Sequence, residues 1–262
     1  MLGKLMKYEF MATSRTFLPL FAALILVSIV NRLLSSLGLN VPSTIGTVIS
    51  VILMVGIAVV TLLITLQRFR NNLLSNEGYL MMTLPVSTDG LILSKLFVSI
   101  VWYVASAVVV ILSILILAVA QFDLKAVVSF IKQVGDLIAR TPLRFFIYAV
   151  EIVVGLVLGI FSGILLLYAS LALSMLVDRR RGLFAFGAYV VITTAVQTLV
   201  AILIAIAAVT RLMDRIDAWF VDIGSFGQSQ IVILVVIVGE AALCAALYYI
   251  TRVMLKSKLN LQ

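Results

Sequence analysis

Six runs of nearly unbroken apolar residues alternate with short polar interruptions along this chain. A helix of about 20 residues rises far enough, at about 1.5 Å per residue, to cross the roughly 30 Å of bilayer hydrocarbon. The runs therefore predict six transmembrane helices, at about residues 17–34, 44–66, 91–120, 145–177, 183–209 and 230–249. The expected fold class is an all-α polytopic membrane protein, with residues 1–262 forming a single transmembrane domain.

The interruptions have patterns of their own. Met1 to Thr16 places Leu2, Leu5, Met6, Phe10 and Thr13 on one side of a helix and Lys4, Lys7, Ser14 and Arg15 towards the other. That pattern predicts a separate amphipathic helix lying in the membrane interface. Glu9 falls on its apolar side, either as a solvated carboxylate at a helix end or as a contact to another element on the same membrane face. Pro19 falls in the first turn of the span that follows, where it costs little. Gly38 to Ser43 (GLNVPS) reads as a tight turn. Leu124, Val127, Val128, Ile131, Val134 and Ile138 repeat at helical spacing in the 121–144 interruption, and Leu212, Ile216, Trp219 and Phe220 do so in 210–229. Both read as outer interfacial helices.

Composition agrees: 64% of residues are hydrophobic and 11% charged, whereas soluble domains have about 25% charged residues. The net charge of +8 resides at the ends of the apolar runs, which points to lipid headgroups and topology rather than to nucleic acid. Six spans put both termini on one side. Twelve of the 19 Lys and Arg residues lie on that side and seven on the other, so both termini, the 67–95 break and Arg179 to Arg181 are expected to be cytoplasmic. The N-terminus does not resemble a cleavable signal peptide.

Candidate chemistry is sparse. The chain has no His and one Cys, Cys244. This removes the usual general base and the commonest metal ligand, and no phosphate-binding G-x-x-x-x-G-K-[ST] loop is present. Catalytic and metal-binding residues are accordingly expected to be absent. Ser162 has no base to activate it and reads as a small packing residue. Glu240 lies nine residues past Ile231, about 13–14 Å along a helix and near the bilayer midplane. An ionisable group there is a functional candidate by default. It is either that or a protonated acid bonded to Gln197, Thr193 or Thr194 at the same depth on the fifth span. Glu151 is expected to pair with Arg144 or face headgroups. Gly155, Gly159 and Gly163 recur every four residues on the fourth span. They make a bare helix face for close packing inside the protomer, with a dimer seam or a substrate path as the alternatives.

The break from Gln67 to Lys95 is the most informative stretch. It contains Glu77-Gly78-Tyr79, then Thr83-Leu84-Pro85-Val86-Ser87, then Leu91-Ile92-Leu93-Ser94-Lys95, and it follows Lys7-Tyr8-Glu9-Phe10 and Arg15-Thr16-Phe17-Leu18-Pro19 near the start of the chain. These motifs resemble those of the permease subunit of type-2 ATP-binding-cassette (ABC) exporters, in particular the six-span permeases of Gram-positive bacteria. The resemblance implies a multi-pass protein of a bacterial plasma membrane that is not itself an enzyme. Two permeases, identical or different, would pair with separate ABC ATPase subunits, and ATP would be bound and hydrolysed there rather than on this chain. It also implies that the 67–95 stretch holds a cytoplasmic coupling segment. Glu77, Gly78 and Tyr79 would then contact the ATPase, while Leu84, Pro85 and Ser87 form the turn and cap that return the chain to the membrane. A plain loop also accounts for Pro85 and Ser87, but not for the consecutive Leu80, Met81 and Met82. The alternative function is an ion-coupled secondary transporter using Glu240.

Overall fold

The computed structural model describes residues 2–73, 88–118, 142–177, 180–210 and 224–259, with isolated positions between 129 and 136. These residues form an all-helical protein in which six helices are long and apolar enough to cross a membrane. They are α1 (Leu2–Ser36), α2 (Asn40–Leu73), α3 (Thr88–Ala118), α4 (Leu143–Leu173), α5 (Arg181–Val209) and α6 (Gly224–Leu259). A 3-10 turn, Ser174–Leu176, follows α4. The helices fall into two compact units, α1 to α3 and α4 to α6.

In the first unit, the boundary expected between an interfacial helix and the first span does not exist. Residues 2–36 form one helix of 35 residues, about 52 Å long. Its buried positions explain the continuity. Thr13, Phe17, Phe21, Leu24, Ser28 and Asn31 are all buried, and they recur in steps of three and four along one face. A break at Thr16 would split that stripe. Pro19 is accommodated inside the helix.

The turn after α1 is shorter than the GLNVPS stretch suggests. Gly38 takes φ 73°. The Leu39 amide donates to the Leu34 carbonyl at 3.2 Å and the Gly38 amide to that of Ser35 at 3.1 Å, a glycine-terminated helix end that satisfies two orphan carbonyls. The chain then enters α2 at Asn40. Pro42 falls in the first turn of α2, where its missing N–H has no partner to lose. The core of the unit gathers Phe17, Phe21 and Leu24 from α1, Ile57 from α2, and Val98 and Trp102 from α3.

In the second unit, α4 packs extensively along α6 and also contacts α5. Buried residues concentrate towards the C-terminal half of α4, at Ile164, Leu165, Tyr168, Ala169 and Ala172, with Leu247 and Leu255 on α6. α5 buries Ala185 alone among its described residues. The fourth span is α-helical only to Leu173 before it tightens. α6 already begins at Gly224, so residues 224–229 belong to it rather than to a separate interfacial segment. Residues 211–223 of the expected 210–229 segment lie outside the described residues, as do 121–141 of the 121–144 segment apart from isolated positions, while 143–144 already belong to α4.

Candidate functional site

A charged junction joins all three helices of the first unit. Glu9 on α1 points one carboxylate oxygen at two cations. Arg68 Nη1 on α2 lies 3.0 Å from Glu9 Oε1, and Lys95 Nζ on α3 donates to the same oxygen at 3.3 Å. The Lys95 side chain is 4% exposed and that of Glu9 13%. Phe69, beside Arg68, and Leu91, Ile92 and Leu96, around Lys95, are themselves buried. Apolar neighbours lower the local dielectric, which strengthens attraction between unlike charges and raises the cost of leaving either one alone. Of the two readings open for Glu9, contact with another element is the one the structure takes.

Below this junction α3 is wedged into α1. Phe10, Thr13 and Phe17 share one face of α1, and the small Thr13 leaves a notch between the two rings. Trp102 fills it. Its ring stacks on Phe10 at a centroid distance of 4.8 Å and on Phe17 at 4.4 Å, with interplanar angles of 14° and 12°. Its Nε1 donates to Thr13 Oγ1 at 2.7 Å, and Thr13 lies within bonding distance of the carbonyls of Glu9 and Phe10. A hydrogen bond of 3.0 Å between Thr61 and Ser106 joins α2 to α3. At the other end of α1 the Asn31 amide meets Thr47 Oγ1 of α2 at 3.0 Å.

The sites expected from sequence fare differently. Glu77, Gly78, Tyr79, Leu84, Pro85 and Ser87 lie outside the described residues. Arg68 and Lys95, on the helices that lead into and out of that stretch, are the two cations held by Glu9. Sequence reading did not find this junction. Its only signal was an acid on the apolar face of an amphipathic helix.

In the second unit Glu240 has a partner, but not on the fifth span. Ser162 Oγ on α4 donates to Glu240 Oε1 on α6, and Ser162 is also within reach of its own Gly159 carbonyl. Ser162 therefore joins two helices instead of only filling space. Gln197 lies exposed on α5 with no hydrogen bond among the described residues, and Thr193 Oγ1 is buried without a partner. Depth alone did not distinguish the helices, because α4 and α5 both pass that level. Glu151 does not need Arg144, since Gln230 Nε2 donates to its Oε2 at 3.1 Å. Tyr148 bonds Ser229 one turn away, and Cys244 Sγ lies 3.7 Å from the Leu158 carbonyl. A polar seam thus runs between α4 and α6. Such interhelical bonds contribute about 0.6 kcal/mol each in a membrane, up to about 1.7.

The glycine face is corrected as well. A β-carbon added at Gly155, Gly159 or Gly163 meets nothing within 4 Å, so among the described residues no backbone approaches these glycines closely enough to need them. α6 lies along the face of α4 that carries Tyr148, Glu151 and Ser162. Gly155 shares that face, where longer side chains span the gap, while Gly159 and Gly163 turn progressively away from it. The close glycine contact is elsewhere: a β-carbon on Gly46 would sit 2.5 Å from Asn31 Oδ1.

Among the described residues, no group of three His, Cys, Asp or Glu side chains could hold a metal ion. Comparison with family models, with curated proteins and with solved structures finds nothing that matches this chain.

Proposed function

We propose that this chain is the membrane-spanning permease subunit of an ATP-driven ABC exporter. It forms a substrate path as a homo- or heterodimer in a bacterial plasma membrane and takes its driving force from separate ATPase subunits through the 67–95 stretch. Both termini face the cytoplasm in this reading, as the excess of Lys and Arg on that side favours.

One observation carries the proposal beyond the sequence motifs. Glu9 holds Arg68 and Lys95 together, one on each helix that flanks the segment with the Glu77-Gly78 and Leu84-Pro85 motifs. A push on that segment reaches α2 and α3 through helices tied to one carboxylate, and reaches α1 through the carboxylate itself. A loop that only reversed the chain direction would need no such tie. The hydrogen bond from Ser162 supports a helix-joining role for Glu240 rather than an ion-carrying one.

The test is recovery of a partner. A tagged chain extracted from native membranes should co-purify with an ATPase, and the purified chain alone should neither bind nor hydrolyse ATP. Glu77→Ala should lower transport per ATP hydrolysed while leaving the spans folded. ATP-independent flux driven by a pH gradient, and abolished by Glu240→Gln, would replace this reading with that of an ion-coupled carrier.

A further inference from the structure

Beside the turn from α4 into α5 lies an apolar groove with the cation of Arg180 at its mouth. Beyond the 3-10 turn Val177 is extended, and Arg180, the residue that opens α5, takes φ 60° and ψ 41°. It is the one non-glycine residue with positive φ among those described. A β-carbon disfavours this left-handed conformation, and glycine is the usual occupant. Here an arginine takes it, with a glycine only two positions away at Gly182. Backbone strain of this kind is a reason to look for function.

The groove encloses about 650 Å³ and is lined by Leu173, Leu176, Phe184, Gly187 and Val191, with Arg180 at one end. Among the described residues Arg180 contributes the only charged or polar side chain to the lining. A β-carbon on Gly187 would meet nothing within 4 Å, so its absence keeps the floor open. No ion pair or hydrogen bond holds the Arg180 side chain among the described residues. The first turn of α5 has no side-chain cap, so its amide donors add positive potential beside the guanidinium.

We propose that this groove binds one anionic phospholipid, with the headgroup phosphate on Arg180 and an acyl chain along α5. Charge and length both fit that occupant. α5 is a candidate span, so Arg180 stands at its headgroup end. From Leu183 to Ile192 the lining extends about 14 Å along the helix, close to half of the roughly 30 Å hydrocarbon thickness and so to the depth of one leaflet. A zwitterionic lipid would fill the same groove but leave the cation less well matched. The inference requires only that the chain sits in a bilayer, and it does not rest on the transport reading.

The test places a reporter in the groove. Full-length Phe184→Trp is reconstituted in phosphatidylcholine vesicles containing a minority of phosphatidylglycerol, with one or the other lipid brominated on its acyl chains. Quenching of the emission added by the new tryptophan is then read. Brominated phosphatidylglycerol should quench about fivefold more effectively per molecule, the preference one surface cation supplies. Arg180→Gln should bring the ratio to about one, and Arg180→Lys should keep most of it. Arg180→Gly should lose the preference while relaxing the turn, which separates lipid binding from folding. Inorganic phosphate added to the vesicles should not change the quenching. Equal quenching by both lipids, which indicates ordinary annular contact, or a preference that survives in Arg180→Gln, would overturn the proposal. Lipid retained by the wild-type chain and by Arg180→Gln after purification, measured by mass spectrometry, gives the same answer without the reporter: less phosphatidylglycerol on the variant supports the site, and equal amounts overturn it.

Discussion

Trp102 donates its indole N–H to Thr13 Oγ1 at 2.7 Å while its ring lies between Phe10 and Phe17. The hydroxyl and the two rings come from one face of α1, so a single side chain of α3 sets both the spacing and the register of the two helices. Thr13→Val keeps the shape and leaves the buried indole N–H without an acceptor, at a cost of about 1–3 kcal/mol. Trp102→Ala also empties the notch, and large aromatic truncations cost about 3–5 kcal/mol. Thermal unfolding in micelles, followed by circular dichroism, should rank wild type above Thr13→Val and Thr13→Val above Trp102→Ala. Equal midpoints for wild type and Trp102→Ala would show that the wedge does not hold α1 to α3.

The Glu9 junction predicts a dependence between its partners. Removing the acid alone strands Lys95, a buried cation, and breaking a buried pair from one side costs about 3–5 kcal/mol. Replacing both members with apolar residues removes the stranded charge. Glu9→Met should therefore be markedly destabilised, and Glu9→Met combined with Lys95→Met should recover much of the loss. A double-mutant cycle on unfolding free energies measures this. Additive losses would mean that the two residues do not interact. Arg68 is more exposed, with 28% of its side chain accessible, and Arg68→Met should cost under about 1 kcal/mol.

The sequence makes the spans legible because hydrocarbon imposes a length, and no polar pattern can imitate about 20 apolar residues in a row. It also marks Glu9 and Glu240 as misplaced polar groups. It does not reveal their partners, since Lys95 lies 86 positions from Glu9 and Glu240 lies 78 from Ser162. Helical periodicity says which residues share a face, but not what covers that face. For this reason Gly155, Gly159 and Gly163 read as a close-packing seam although a β-carbon at any of them would meet nothing within 4 Å. Gly46, with no repeat to mark it, is where a second helix comes close enough that a β-carbon would collide with Asn31. The break expected after Thr16 arose from polarity alone, whereas the buried stripe from Thr13 to Asn31 passes straight through it.

Gly46 gives a prediction in the opposite direction from the glycine stripe. A methyl group there would sit 2.5 Å from Asn31 Oδ1 and 2.7 Å from its Cγ, closer than atoms can approach without movement. Gly46→Ala should destabilise the α1–α2 pair by about 1–3 kcal/mol, as overpacking does. Asn31→Ala in the same chain removes the obstructing atoms and should recover part of that loss. Gly159→Ala, with open space around it, should be neutral or slightly stabilising for the chain through helix propensity. Unfolding midpoints of the four variants check the set, and a Gly46→Ala protein as stable as wild type would remove the close approach.

Ser162 and Glu240 offer a test that separates a helix-joining acid from an ion-carrying one. One hydroxyl proton cannot serve both the Gly159 carbonyl and Glu240 Oε1, so the bond to Glu240 is in competition within α4 itself. Ser162→Ala removes the partner and leaves a carboxyl group in a span without one, where polar groups are costly. Stability should fall by about 0.6–1.7 kcal/mol, the range of interhelical bonds in membranes. Glu240→Gln keeps an acceptor for Ser162 and should stay within about 0.5 kcal/mol of wild type. Glu240→Leu with Ser162→Ala replaces both partners by apolar groups and should recover the loss. If Glu240→Gln preserves ATP-dependent transport while Ser162→Ala weakens only stability, the acid serves to join α4 and α6. Loss of transport in a fully folded Glu240→Gln protein would instead assign the carboxyl group a part in moving the substrate.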